Sequence, residues 1–206
     1  MKLTVSSMVS LDGVMQAPGG PKEDSSGGFK YGGWTAPYGS KEGFTYIVEW
    51  FSQADSFLLG RKTYQIFANY WPKVTDPDNP IAGPLNALPK YVASKTLKKV
   101  GWNNSKLLKG NIVAAIKKLK AMEGKELQVH GSGNLLQTLL KAGLIDELRV
   151  ITFPVILGKG KRLFGSGTVP CAMELVDSKR TPTGVLFQAY RPVGAVRTGT
   201  VGVPEK

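Results

Sequence analysis

Alternation between apolar and polar positions is the first ordered feature of the chain. "LTVSSMVSL" (3–11) is rich in β-formers and reads as an opening strand. In "KEGFTYIVEWFSQA" (41–54), Phe44, Ile47, Val48 and Phe51 recur at helical spacing. "DSFLLG" (55–60) is a short apolar run closed by glycine, the pattern of a buried strand. "RKTYQIFANYW" (61–71) predicts a helix that Pro72 stops, because proline has no N–H and clashes with the preceding turn. "KYVAS" (90–94) and "WNNSKLLKG" (102–110) read as short strands. "NIVAAIKKLKAM" (111–122) is an amphipathic helix with Asn111 placed to cap it. "ELQVHG" (126–131) is a strand, and "NLLQTLLKAG" (134–143) is a helix closed by Gly143. "DELRVITFPVIL" (146–157) is a longer strand. Residues 172–180 and 184–192 read as a hairpin joined by "TPT".

Strands that alternate with helices imply an α/β fold with a mainly parallel sheet and helices on both faces. The closing hairpin adds antiparallel strands and makes the sheet mixed. No internal repeat or second domain is visible, so 1–192 reads as one domain and 193–206 as a tail with little to bury. Residues 73–89 read as loop. Residues 13–40 are crowded with Gly, Pro, Ser and aromatics and read as a long loop, with Trp34 and Tyr38 suited to a lid.

Composition narrows the function classes. The chain has 206 residues, 42% of them hydrophobic, enough for a sizeable core. No apolar run reaches membrane-spanning length. The N-terminus lacks the apolar core of a signal peptide, so a cytoplasmic protein is expected. Cys171 and His130 are the sole cysteine and histidine, which excludes an intramolecular disulfide and leaves no nitrogen–sulfur metal site. The net charge of +12 fits a nucleic-acid surface or an attraction for small phosphorylated ligands. The basic residues are scattered and no nucleic-acid motif accompanies them, so the small ligand is preferred.

Two strand-to-helix junctions carry candidate chemistry. In "FLLGRKTY" (57–64) a buried strand ends at Gly60, and Arg61, Lys62 and Thr63 open a helix. Unpaired N–H groups at a helix start attract anions, and two cations and a hydroxyl reinforce them. In "VHGSGNLL" (129–136), small residues between strand and helix let a phosphate approach the backbone. Both would lie at the carboxyl ends of strands, where open α/β sheets bind ligands.

With "KYVASKTL" and "LQVHGSGNLLQTLLKAGLIDELRVITFPVILGKGKRLF", these segments resemble the dihydrofolate reductase superfamily. They are most similar to the reductase domain of the riboflavin-biosynthesis deaminase-reductase, as carried by stand-alone bacterial proteins. The resemblance spans about residues 2–191. It implies a dihydrofolate reductase-like three-layer α/β/α fold, NADPH as cofactor and, as often in this family, a homodimer. The apolar strand near 148–157 is expected to be exposed and to support pairing. The resemblance puts Arg61 at the adenosine 2′-phosphate, Lys62 and Thr63 near the phosphates, and Ser94 and Lys95 at the adenosine end. Gly60 closes the strand before them. Gly131, Ser132, Gly133 and Asn134 fall at the pyrophosphate and helix start, main chain at Met8 and Val9 at the nicotinamide, and Asp12 at the substrate mouth.

The departures bear on the substrate. Dihydrofolate reductases carry a carboxylate in the helix before the "GR" strand. Here that position falls at or near Ile47, and Glu49 is the nearest acid. Riboflavin-pathway reductases usually have Glu just before the glycine pair, where this chain has His130. No HxE…CxxC zinc signature is present, and no deaminase domain is expected ahead of the chain. The implied activity is hydride transfer to a small heterocyclic or ribosylaminopyrimidine-like substrate. The alternatives are an authentic 5-amino-6-(5-phosphoribosylamino)uracil reductase, a non-catalytic NADP(H)-binding protein and a basic nucleic-acid binder. His130 reads either as a proton donor or as a loop residue that hydrogen-bonds or stacks. Asp12 reads either as a substrate-side acid or as a turn former.

Overall fold

The computed structural model describes residues 1–76 and 78–202. Eight strands form one sheet: β1 Lys2–Ser10, β2 Ala54–Gly60, β3 Lys90–Ala93, β4 Ser105–Leu108, β5 Glu126–His130, β6 Glu147–Phe153, β7 Ala172–Arg180 and β8 Leu186–Gly194. Their order is β4-β3-β2-β5-β1-β6-β8-β7. The strands from β4 through β6 run parallel, while β8 and β7 are antiparallel. Five helices accompany them: α1 Lys41–Phe51, α2 Arg61–Tyr70, α3 Ala82–Ala87, α4 Ile112–Lys120 and α5 Gly133–Lys141.

Parallel neighbours need crossovers, and the crossovers cover the sheet. On one face α4 and α5 set Ile116, Leu119, Leu136 and Leu139 against Leu3, Val5, Leu127 and Val129. On the other, Phe51 of α1, Tyr64 of α2 and Leu85 of α3 pack on Phe57, Leu59 and Val92. The expected three-layer arrangement with its closing hairpin is present, and Asn111 caps α4 by accepting from Ala114 N–H at 3.0 Å. Among the described residues no helix is long and apolar enough to cross a membrane.

Three expectations are corrected. Residues 73–89 contain α3, which Asn79 starts by accepting from Ile81 and Ala82 N–H. Pro84 falls in its first turn, where a missing N–H costs nothing. Residues 13–40 contribute a third core cluster, and Trp34 and Tyr38, expected in a lid, pack within it. Trp34 is buried, donates to Gln16 O at 2.8 Å and meets Phe153 edge-on at 5.3 Å; Tyr38 meets the same ring at 6.1 Å. These aromatics cover the sheet at Phe153 of β6, beside Tyr46 and Trp50 of α1, which pack on Phe187 of β8. Finally, β6 is an internal strand between β1 and β8, with Leu148, Ile151 and Phe153 buried, so it offers no exposed strand for pairing. Of the expected tail, Val193 and Gly194 extend β8, 195–202 lie exposed, and 203–206 are outside the described residues.

The outermost strand, β7, has two register shifts against β8 and is exposed along most of its length. At the other side of the sheet, Lys90 of β3 is wholly buried. Its Nζ donates to the carbonyls of Leu85 at 2.7 Å, Leu88 at 2.8 Å and Asn86 at 3.3 Å, and lies 4.4 Å from the Trp102 ring centre. The ammonium thus satisfies the orphan carbonyls at the end of α3, a helix too short to hold itself. Burial pushes its pKa down from 10.5 to about 8. The unfolded chain therefore holds this proton more tightly, and the group adds stability as pH rises from about 8 towards 10.5. Lys90→Met should destabilise by about 2 kcal/mol at neutral pH, because the carbonyls lose a charged donor. It should also abolish this alkaline gain; urea unfolding at pH 7 and pH 9.5 measures both.

Candidate functional site

The carboxyl ends of β1, β2, β3 and β5 open into a cleft of about 2070 Å³. Its floor is built from the two strand-to-helix junctions. β2 ends at Gly60, which is the N-cap of α2. β5 ends at His130, and Gly131 and Ser132 turn the chain into α5 with φ of 62° and 65°. A left-handed serine is unfavourable unless its surroundings hold it. Here they do: Ser132 Oγ accepts from Gly60 N–H at 3.1 Å and shares a hydrogen bond with Thr63 Oγ1 at 2.6 Å. One hydroxyl therefore ties the two junctions together. A Cβ on Gly60 would lie 2.5 Å from that hydroxyl, so the close approach requires glycine.

Neither α2 nor α5 has a side-chain cap, whereas α1 is capped by Ser40 and α4 by Asn111. The first N–H groups of α2 and α5 thus remain available at the cleft. Arg61, Lys62 and Lys95 line the same region, together with Thr63, Ser94, Gly131, Gly133 and Asn134. Lys161 joins them from the 154–171 connection. Its ammonium pairs with Asp24, and Lys62 is held below the ordinary lysine value first by its contact with Lys161. Burial pushes Asp24 up, but Lys161 and Ser26 prevail and hold its carboxyl at about 2. This half of the cleft is suited to phosphates: open helix starts, several cations and glycine backbone.

The other half is aromatic. Phe44, Ile47, Trp50 and Phe51 of α1 form its wall, facing Ser6 and Met8 of β1 and His130 of β5. Beneath them a buried polar chain crosses the sheet. Arg149 of β6 makes a paired bridge to Glu126 of β5 at 2.6 and 2.9 Å and donates to Glu147 at 2.8 Å. Gln128 Nε2 donates to Glu126 at 2.7 Å and to Trp50 O. Gln128 Oε1 meets His130 Nε2 at 3.1 Å. His130 also stacks on Phe51, with ring centres 4.5 Å apart. Burial, and secondarily the Arg149 charge, pushes its pKa down to about 3.

The structure gathers eleven sequence-chosen residues on the cleft: Met8, Gly60, Arg61, Lys62, Thr63, Ser94, Lys95, Gly131, Ser132, Gly133 and Asn134. His130 lines it as well. Val9 and Asp12 do not. Val9 points into the α4–α5 core. The Asp12 carboxylate accepts from Ser10 Oγ at 2.6 Å, Leu157 N–H at 3.1 Å and Gly158 N–H at 2.9 Å, and faces Arg162. Those bonds, led by Ser10, lower its pKa, so it pins the first turn to the 154–171 connection. Glu49 is exposed and pairs with Lys179. The reading of the residues missed Ser6, Met15, Lys161 and the Arg149–Glu126–Gln128 chain. Alternation in "ELQVH" puts 126, 128 and 130 on one face, and three polar residues in a central strand were the available signal.

This constellation, parallel-strand ends with paired helix starts beside an aromatic slot, lies at the carboxyl edge of the strands, where open α/β sheets bind ligands. Residues 1–187 match the RibD C-terminal domain, and the chain belongs to that family. It is 32% identical over 150 residues to the Bacillus subtilis (strain 168) uncharacterized protein YyaP, covering 72% of this chain and 78% of that one. A putative riboflavin biosynthesis protein from Shewanella sp. PV-4 superposes with a TM-score of 0.69 at 24% identity, over 93% of this chain and 99% of that one. Enterococcus faecalis dihydrofolate reductase complexed with NADP(H) and RAB-propyl superposes at 0.58 and 12% identity, over 93% and 96%. The fold is thus dihydrofolate reductase-like.

Gly60→Ala should push Ser132 aside and lower the unfolding midpoint, at a cost of about 1–3 kcal/mol, the scale of overpacking. Adding Ser132→Gly, which removes the clashing atoms and suits the positive φ, should restore part of that loss. Thermal unfolding of the single and double variants checks it; no recovery would mean that the contact is not the cause.

Proposed function

We propose that this protein is an NADPH-dependent reductase that passes hydride to a C=N or C=O of a small heterocyclic or ribosylaminopyrimidine-like substrate. The observation that carries this reading is the pair of uncapped helix starts, tied by Ser132, beside a cluster of cations. NADPH, when bound, supplies the hydride. Arg61, Lys62 and Lys95 hold its phosphates, and the starts of α2 and α5 add their backbone N–H groups. The aromatic wall of α1 excludes water from the reacting bond and orients a flat ring. The dihydrofolate reductase likeness and the RibD C-terminal domain family support the reaction class. Residues 1–192 act as one reductase domain in the cytoplasm, and two copies pair; light scattering of the purified protein tests the pairing.

Proton delivery falls to solvent. His130 is neutral at physiological pH, and among the described residues the two carboxylates that line the cleft are engaged: Asp24 pairs with Lys161, and Glu23 accepts from Gly19 and Gly20 N–H. His130→Gln should therefore change turnover by less than about tenfold, whereas loss of a general acid costs about 10²-fold or more.

Arg61 offers a planar fork that matches a phosphate, and NADH would leave the fork unpaired. Hydrogen bonds to a charged group are worth about 1.5–3 kcal/mol, or about 10- to 100-fold in affinity. Calorimetric titration should show NADPH preferred over NADH by that factor. Arg61→Ala should weaken NADPH more than NADH, and the gap should narrow in high salt. Equal affinities in the wild type would overturn the assignment of this junction to the 2′-phosphate.

A further inference from the structure

The hydrogen-bond chain beneath the cleft fixes more than the position of His130. Arg149 can only donate, and Glu126 accepts its two N–H groups at 2.6 and 2.9 Å. Gln128 Nε2 gives its two hydrogens to Glu126 and Trp50 O, both obligate acceptors, so the orientation of the amide is determined. Its Oε1 must therefore accept, and the partner at 3.1 Å, His130 Nε2, must carry a hydrogen. The ring is thereby held as the Nε2–H tautomer, and Nδ1 is left with a lone pair.

That lone pair is accessible. Nδ1 has no protein hydrogen bond, yet the only buried side-chain nitrogen or oxygen without a partner among the described residues is Ser105 Oγ. His130 lines the cleft, so its open nitrogen faces the cleft. Ser6 is its register partner on β1 and lines the cleft too, with Oγ likewise unused by the protein. Protonating Nδ1 would put a cation near Arg149 with no carboxylate against it. Glu126 is already committed to Arg149 and Gln128, and Phe51 of α1 and Phe57 of β2 cover the ring with apolar surface.

We propose that His130 is the substrate-orienting acceptor of this cleft: Gln128 locks its tautomer so that Nδ1, beside Ser6 Oγ, selects a substrate edge bearing an N–H or O–H donor next to an acceptor, as in a neutral lactam. This rests on the reductase reading for the meaning of "substrate", but not for the geometry. A carboxylate at this position would favour a cationic or doubly donating edge. A neutral imidazole acceptor with a hydroxyl favours an uncharged, mixed edge, and the aromatic wall suits the flat ring that carries it. The residue selects and orients; it passes no proton.

Because the chain has one histidine, long-range ¹⁵N–¹H correlation spectra of the intact protein read this ring alone. We expect the Nε2–H tautomer with no titration between pH 8 and pH 5. Uracil, which presents lactam N–H groups, should shift Nδ1 at millimolar concentration. 1,3-Dimethyluracil, which has no N–H, should bind about 5- to 10-fold more weakly, the loss of one hydrogen bond, and leave Nδ1 unmoved. Gln128→Glu, which replaces the amide by an anionic acceptor, should raise the midpoint of the ring into the titrated range. An Nδ1–H tautomer, a wild-type midpoint near 6.5, or equal responses to the two pyrimidines, including none to either, would overturn the proposal. NADPH titration of the same sample is independent: the expected tautomer and selectivity without cofactor binding would refute the reductase reading and leave the role of His130 standing.

Discussion

The parallel run from β4 to β6 brings the carboxyl ends of six strands to one edge of the sheet. Each following helix must then begin at that edge, with its unpaired N–H groups facing the same way. Everything in the cleft depends on this constraint. It concentrates partial positive charge before any lysine is added, and it explains why two short sequences far apart in the chain meet. What the fold leaves open is how closely they meet. Ser132 settles that by spanning the gap between α2 and α5 with one oxygen, held in a backbone conformation that only the two contacts justify.

The two halves of the cleft rest on different physics. The cationic half offers open backbone donors and exposed cations, so its attraction for an anion is sensitive to salt. The aromatic half works by fixed, desolvated geometry. Its polar groups are few and already committed to one another, from Glu147 through Arg149, Glu126 and Gln128 to His130. Breaking the Arg149–Glu126 link would strand a buried charge and breaking the Gln128–His130 link a buried polar group, so the chain behaves as a rigid element. A ligand ring meeting this wall finds hydrogen-bond directions that do not adapt to it.

The alternating strands and helices, the hairpin and both strand-to-helix junctions were legible in the sequence because each has a local cause: spacing, a cap, a glycine. Helix α3 was not, since it depends on Asn79 before it and on Lys90 reaching back from a strand to hold its last carbonyls. The 13–40 segment was misjudged for a related reason. Its glycines signal irregular backbone correctly, but nothing local reveals that Trp34 and Tyr38 cover Phe153, more than a hundred residues away. Burial of β6 was hidden too: an apolar strand reads alike at the edge or inside a sheet, and only the return of β8 decides. His130 could be placed at a strand end, but not given its chemistry, because the Gln128 amide that sets its proton is itself oriented through Glu126 by Arg149, two strands across the sheet, and by Trp50 of α1.

The bulged outer strand has a consequence for the protein at high concentration. An open sheet ends in a row of free N–H and C=O groups, a template on which another strand can add. Here β7 breaks its register twice and carries Glu174, Asp177, Lys179 and Arg180 along its length. Bulges twist the row out of line, and the charged side chains make a straight partner costly to seat. The chain is thereby guarded against growing into a continuous intermolecular sheet.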